Sequence, residues 1–196
     1  MPPFGNCKMM KCEQPSSLQN ERELRDFIAL LTVEQVKSYL EIGGKFGGSL
    51  WKIGCSLPSG SRIVSVDLPH GKKRYVEELP HLINCVTALK QKGYDAHLIV
   101  GDSTAPEVIT KVRILGPFDA CFIDANHTEP FVRKDWATYG PLCRIIAFHD
   151  INHMRWIPPE RIPIQVKKVW DEIKHDHRYC EIKHDADING IGVLWR

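Results

Sequence analysis

Apolar positions along the chain follow two periods. Short, nearly continuous apolar runs at Ser38–Ile42, Arg62–Asp67, Ala96–Val100, Phe118–Asp124 and Arg144–Phe148 have the pattern of strands buried on both faces of a parallel sheet. Between them, apolar residues recur at helical spacing, which predicts helices over Ser49–Cys55, Arg74–Lys92, Pro106–Leu115 and Glu129–Tyr139. Pro80 interrupts or adjusts the second of these, and Pro106 suits the first position of the third. Upstream, apolar residues at 24, 27, 28, 30 and 31 give Leu18–Leu31 a helical face. Ile151–Pro163, with three prolines and Trp156, reads as a loop, and Ile164–Lys174 as a helix. Tyr179–Lys183 and Gly190–Trp195 read as a closing pair of strands around the turn Asp185–Gly190. Residues 1–17 show no periodicity and read as a loose, flexible arm. The alternation predicts an α/β, doubly wound, Rossmann-like single domain over 18–196.

Within that frame, Tyr39-Leu-Glu-Ile-Gly-Gly-Lys-Phe-Gly-Gly-Ser49 carries four glycines in six positions at a strand-to-helix turn. Gly43 and Gly47 would let backbone approach a ligand closely, and the helix after them offers unpaired N–H groups. Asp67 ends the next strand 24 residues after Gly43, where a carboxylate can take both hydroxyls of a ribose. Lys45 replaces the middle glycine of the dinucleotide fingerprint, and no phosphate-binding G-x-x-x-x-G-K-[ST] occurs. A nicotinamide dehydrogenase and a nucleotide hydrolase are thereby disfavoured. A cofactor with an amino-acid tail and an adenosine fits better; a tight turn without a ligand is the other reading.

Composition narrows the class. At 196 residues and 43% hydrophobic, the chain is long enough for one well-filled core. A net charge of +2, without a basic stripe carrying interleaved aromatics, argues against nucleic acid or membrane as partner. Lys72-Lys73-Arg74 reads as a solvated helix face. Seven cysteines is an odd number; Cys121 and Cys143 lie in apolar runs, and Cys7 and Cys12 lack zinc-site spacing. With no apolar stretch near 18 residues and no signal peptide, the expectation is a cytoplasmic protein.

The strand ends carry the candidate chemistry. Gly43, Asp67, Asp102, Asp124 and Asp150 would meet along one sheet edge. Asp102 and Ser103 would lie beside an adenine, or Ser103 and Thr104 would cap the following helix. Asp124 and Asp150, with Asn126, His127 and His149 close by, form an oxygen-rich cluster suited to Mg²⁺ or another divalent cation. His127 is the candidate general base. Trp136, His153, Arg155 and Trp156 are candidate pocket-wall residues.

Phe118-Asp-Ala-Cys-Phe-Ile-Asp-Ala-Asn-His127, Val132-Arg-Lys-Asp-Trp136, Pro141-Leu142, Ile145-Ile-Ala-Phe-His-Asp150 and Gly190–Trp195 together resemble one group of class I S-adenosylmethionine-dependent methyltransferases. This is the methyltransferase domain 24 type, related to macrolide-sugar O-methyltransferases and cephalosporin hydroxylase-like proteins. The resemblance covers about residues 38–195 and implies a seven-stranded, mostly parallel sheet with an antiparallel last strand. It implies S-adenosylmethionine over Glu41, Gly43, Gly47 and Ser49, with Asp67 at the ribose and Asp102, Ser103 and Asp124 along the rest of the cofactor. It also implies a cation held by Asp124, Asp150 and His149, and His127 as base in methylation of a hydroxyl on a small molecule. Metal-dependent relatives carry glutamate where this chain has His149. Rival readings are a non-catalytic or partner-dependent S-adenosylmethionine-binding protein and a hydroxylase-like metal enzyme on the same scaffold. A homodimer that completes the site is a further expectation.

Overall fold

The structure is a computed structural model and describes residues 19–68, 78–152, 155–157, 162–184 and 189–196. Seven strands form one sheet: β1 (Ser38–Ile42), β2 (Arg62–Asp67), β3 (Asp95–Val100), β4 (Phe118–Ile123), β5 (Cys143–His149), β8 (Arg178–Ile182) and β9 (Ile191–Trp195). Their spatial order is β3-β2-β1-β4-β5-β9-β8. β1 to β5 pair in parallel, and β9 lies antiparallel to both β5 and β8. This is the doubly wound sheet that the alternation predicts. The order reverses between β1 and β4, so the crevice above their carboxyl ends is the natural ligand position.

Residues alternate between the two faces of each strand, and both faces are covered. Tyr39, Ile63, Phe122, Ile145 and Val193 pack beneath α1 (Glu21–Val33), α2 (Gly48–Ser56) and α3 (Glu78–Gln91). Leu40, Val64, Cys121, Ile146 and Leu194 pack beneath α4 (Pro106–Leu115), α5 (Glu129–Tyr139) and α6 (Val166–Ile173). Two-sided burial explains the continuous apolar runs. Each buried Leu, Ile or Phe contributes about 1.5–3 kcal/mol to folding by the area it removes from water. At the last strand, a side chain on Gly192 would come within 2.7 Å of the Trp170 ring, so glycine there lets α6 seat its indole on the sheet.

Two expectations change. Ile151–Pro163 is not wholly loop: Arg155–Ile157 (β6) and Ile162–Ile164 (β7) pair antiparallel in a small separate ribbon. Pro163 lies in β7, and a proline at a ribbon edge leaves the ladder intact although it reads as a break in sequence. Ile164 therefore belongs to β7, and α6 begins at Val166. The helix expected from Arg74 is described from Glu78; its first residues, the basic cluster 72–74, residues 1–18 with Cys7 and Cys12, and His153 lie outside the described residues. Among the described residues, no helix is long and apolar enough to cross a membrane.

Candidate active site

The glycine turn is held from below. Glu41, fully buried, accepts a hydrogen bond from Ser49 Oγ (2.6 Å) and another from Tyr39 Oη (2.9 Å). Burial pushes its carboxyl up to about 8, against the pull of those two hydroxyl donors. Glu41 and Ser49 thus brace the loop and face each other rather than the crevice. The glycines serve packing as much as any ligand. A side chain on Gly43 (φ +98°) would stand 2.3 Å from the Asp124 carbonyl oxygen, and one on Gly47 (φ +83°) 2.8 Å from Cys85 Cβ. Glycine at 43 is what allows the β1 turn to touch the end of β4.

Lys45, at the position of the missing fingerprint glycine, adopts the left-handed conformation all the same (φ 49°), and its N–H donates to Asp67 Oδ2. Asp67 Oδ1 accepts from Leu68 N at 2.6 Å. Burial raises the Asp67 carboxyl, with the Lys45 and Leu68 amides opposing. Lys45, Asp67, Leu68, Glu78, Leu79 and Leu82 line a small cavity beside it. Leu68 is 49% exposed there, an apolar surface next to a carboxylate, and α2 begins at Gly48 behind Gly47, an N-cap without a side chain to bond its first N–H groups. A carboxylate for hydroxyls, an apolar ledge for a base and free helix N–H groups for an anionic tail fit an adenosyl amino acid.

The second half of the site is an acid–imidazole cluster. Asp124 Oδ1 lies 3.1 Å from His127 Nε2 and 3.1 Å from His149 Nδ1, and Asp124 Oδ2 accepts from Gln19 Nε2 at 2.6 Å. Asp150 Oδ2 lies 3.8 Å from His127 Nε2 and 3.7 Å from His149 Nδ1. Burial alone would raise the Asp124 carboxyl, but the His149 charge and the two imidazole hydrogen bonds outweigh it and hold it well below the usual carboxylate range. Burial likewise opposes the charged form of His149, yet the Asp124 carboxylate prevails and lifts the imidazole to about 9. His149 packs edge-on against Phe122, with ring centroids 6.0 Å apart. His127 keeps 19% of its side chain exposed, with Nε2 turned to Asp124.

Other expected residues face elsewhere. Asp102 Oδ1 accepts from Thr104 N and Oγ1 (both 2.8 Å), and Asn126 Oδ1 accepts from Thr128 N (3.0 Å) and Oγ1 (2.8 Å), so each stabilises its own turn. Ser103 donates to Asp135 Oδ1 at 2.8 Å, and Tyr139 Oη donates to the Ser103 carbonyl. Neither Ser103 nor Thr104 caps α4, whose N-cap is Ala105. Burial lifts the Asp135 carboxyl to about 6. Trp136 packs against Phe148 and His177 and covers Gly140, which removes it from the pocket wall. Arg155 and Trp156 lie in β6.

Two residues near the cluster carry no expectation from sequence. Gln19 stands beside Asp124, and buried Glu23 accepts from Gly190 N through both oxygens (3.0 Å each). Asn20 caps α1 and Glu23 follows at the third helical position, the spacing of a capping box. That spacing would direct Glu23 back to Asn20; instead it ties α1 to the start of β9.

The family model Methyltransf_24, described as a methyltransferase domain, matches residues 40–151, the stretch from β1 to just beyond Asp150. The chain belongs to this methyltransferase family. Solved structures share the fold at low identity. An O-methyltransferase from Bacillus cereus, in complex with SAH, is 15% identical, with 93% of this chain and 84% of that chain covered and a TM-score of 0.65. The O-methyltransferase TomG from Streptomyces achromogenes, involved in tomaymycin synthesis and solved with SAM, is 16% identical, covering 90% of this chain and 80% of that one at 0.64. Cofactor-bound Rv0187 from MTB is 15% identical, covering 93% and 83% at a TM-score of 0.67. No curated protein sequence matches the chain.

The divalent cation implied by the sequence resemblance does not fit this methyltransferase's donor set. Both oxygens of Asp124 are engaged by nitrogen donors, and His149 turns an N–H-bearing face toward the two carboxylates. Among the described residues, no group of three His, Cys, Asp or Glu side chains is arranged to hold a metal ion. Asp124, Asp150 and His149 meet as expected, but as a hydrogen-bonded ion cluster.

Proposed function

We propose that this methyltransferase transfers a methyl group from S-adenosylmethionine to a hydroxyl oxygen of a small molecule. One observation carries the reading: Gly43 presses the cofactor turn onto the backbone of Asp124, the residue that orients the His127 imidazole. Cofactor loop and proton acceptor are thus fixed against each other by direct contact.

When bound, S-adenosylmethionine supplies a methyl group already activated by a sulfonium. The chain's residues supply position and proton transfer. Asp67 takes the ribose hydroxyls, Leu68 offers the adenine a flat apolar ledge, and the α2 N-terminus faces the carboxylate of the amino-acid tail. Glu41 and Ser49 hold the turn rigid from beneath. His127 accepts the acceptor hydroxyl's proton at Nδ1 while Nε2 stays on Asp124. As the carbon–sulfur bond breaks, the new carbon–oxygen bond forms and S-adenosylhomocysteine leaves. The divalent cation has no part in this reading.

A panel of hydroxyl compounds with labelled S-adenosylmethionine, read out as S-adenosylhomocysteine formation, tests it. On an accepted substrate, His127→Ala lowers turnover by about 10²–10⁴-fold, the range for a lost general base, and leaves cofactor affinity nearly unchanged. Loss of cofactor binding in that variant sinks the role. Oxygen uptake without methyl transfer would favour the hydroxylase-like reading.

A further inference from the structure

Two carboxylates on adjacent strand ends, Asp124 after β4 and Asp150 after β5, are nearly buried, with side chains 9% and 4% exposed. Such a pair needs positive charge or hydrogen-bond donors between its members. Here the donors come from the chain. His149 Nδ1 is 3.1 Å from Asp124 Oδ1 and 3.7 Å from Asp150 Oδ2, so it lies between the two. His127 Nε2 spans the same oxygens at 3.1 and 3.8 Å, and Gln19 closes Asp124 Oδ2 at 2.6 Å. A cation shared by both carboxylates would need oxygens at about 2.0–2.6 Å, which is the space the N–H groups occupy. The His149 ring cannot readily turn away: it is wedged edge-on against Phe122, and its backbone sits in the β5–β9 ladder opposite Ile191. Asp150 adopts the left-handed conformation (φ 61°) directly after it, which an aspartate tolerates better than most residues.

We propose that His149 does in this chain the work of a divalent cation: its Nδ1–H donates to Asp124 at 3.1 Å while the same nitrogen stands 3.7 Å from Asp150 Oδ2, and the site has no divalent-cation requirement. The sequence resemblance implies a glutamate at position 149 in metal-dependent relatives, and against that expectation His149 offers a donor in place of an anionic ligand. The role builds on the methyl-transfer function proposed above, but it is testable apart from that function.

The test uses the full chain treated with EDTA and desalted. MnCl₂ is titrated in and free Mn²⁺ followed by electron paramagnetic resonance. Wild type leaves the Mn²⁺ free, whereas His149→Glu takes up one Mn²⁺ per chain. Stoichiometric uptake by wild type that Asp124→Asn abolishes overturns the proposal, as does a folded His149→Glu protein that takes up none. Should His149→Glu fail to fold, the shorter His149→Asp replaces it, and the wild-type titration decides in any case. S-adenosylmethionine affinity is measured in parallel with EDTA or with MnCl₂. Equal affinities support the proposal; affinity that depends on Mn²⁺ overturns it. Absence of cofactor binding in both conditions sinks the methyl-transfer reading and leaves the Mn²⁺ titrations to decide the role of His149.

Discussion

Replacing His149 with glutamine removes a charge and keeps an amide that can still donate to Asp124. In the folded protein the imidazole is lifted from 6.5 to about 9, chiefly by Asp124 acting against burial. A rise of that size corresponds to about 3 kcal/mol of preferential stabilisation of the charged form. The sign follows from the direction. A folded-state value above the unfolded one gives stability that is complete below about pH 6.5 and is lost as pH climbs through about 9. Breaking a buried pair by removing one partner costs a comparable ~3–5 kcal/mol, so the two routes to the magnitude agree.

Urea unfolding of both proteins at pH 6 and pH 9.5 provides the assay. The wild type should lose about 3 kcal/mol more than His149→Gln between those values. Glu41 also titrates on that interval, but it is common to both proteins and cancels in the difference. Parallel pH profiles for the two proteins would refute the charge assignment.

Two further outcomes follow from the same geometry. Glu41, raised to about 8 by burial, favours its neutral form when folded, so its contribution is full below about pH 4.5 and fades as pH rises through 8. Glu41→Gln should match wild type near pH 4.5 and exceed its unfolding free energy by on the order of 3–5 kcal/mol at pH 9, with Tyr39 and Ser49 still bonded to the amide. Gly43→Ala would drive a methyl to within 2.3 Å of the Asp124 carbonyl in a left-handed conformation, and chemical denaturation should show a loss of about 2–4 kcal/mol.

The sheet was legible because both faces are buried, which turns each parallel strand into a nearly unbroken apolar run: β1 and β2 fall on the expected residues. Strand ends were equally legible, and with them the meeting of Gly43, Asp67, Asp124 and Asp150, because a doubly wound sheet gathers its carboxyl ends. The direction of each polar side chain was not. Ser103 as an adenine contact and Ser103 as a bond to Asp135, 32 residues away, look alike in sequence. Asp102 and Asn126 could face a ligand or close their own turns, and local geometry chose the turns. Gln19 and Glu23 were hidden because their partners, Asp124 and Gly190, lie 105 and 167 residues along the chain. The ribbon at β6 and β7 was hidden by Pro163, a residue type that sequence patterns associate with breaks rather than edges.

Calorimetric titration of S-adenosylmethionine into the wild type and Asp67→Ala decides whether the turn beside Asp67 holds the cofactor. One site per chain is expected in the wild type. Affinity should fall by about ten- to a hundredfold in the variant, the loss expected for hydrogen bonds to a charged carboxylate. No binding to the wild type, or equal affinity in both proteins, would contradict cofactor binding at that turn.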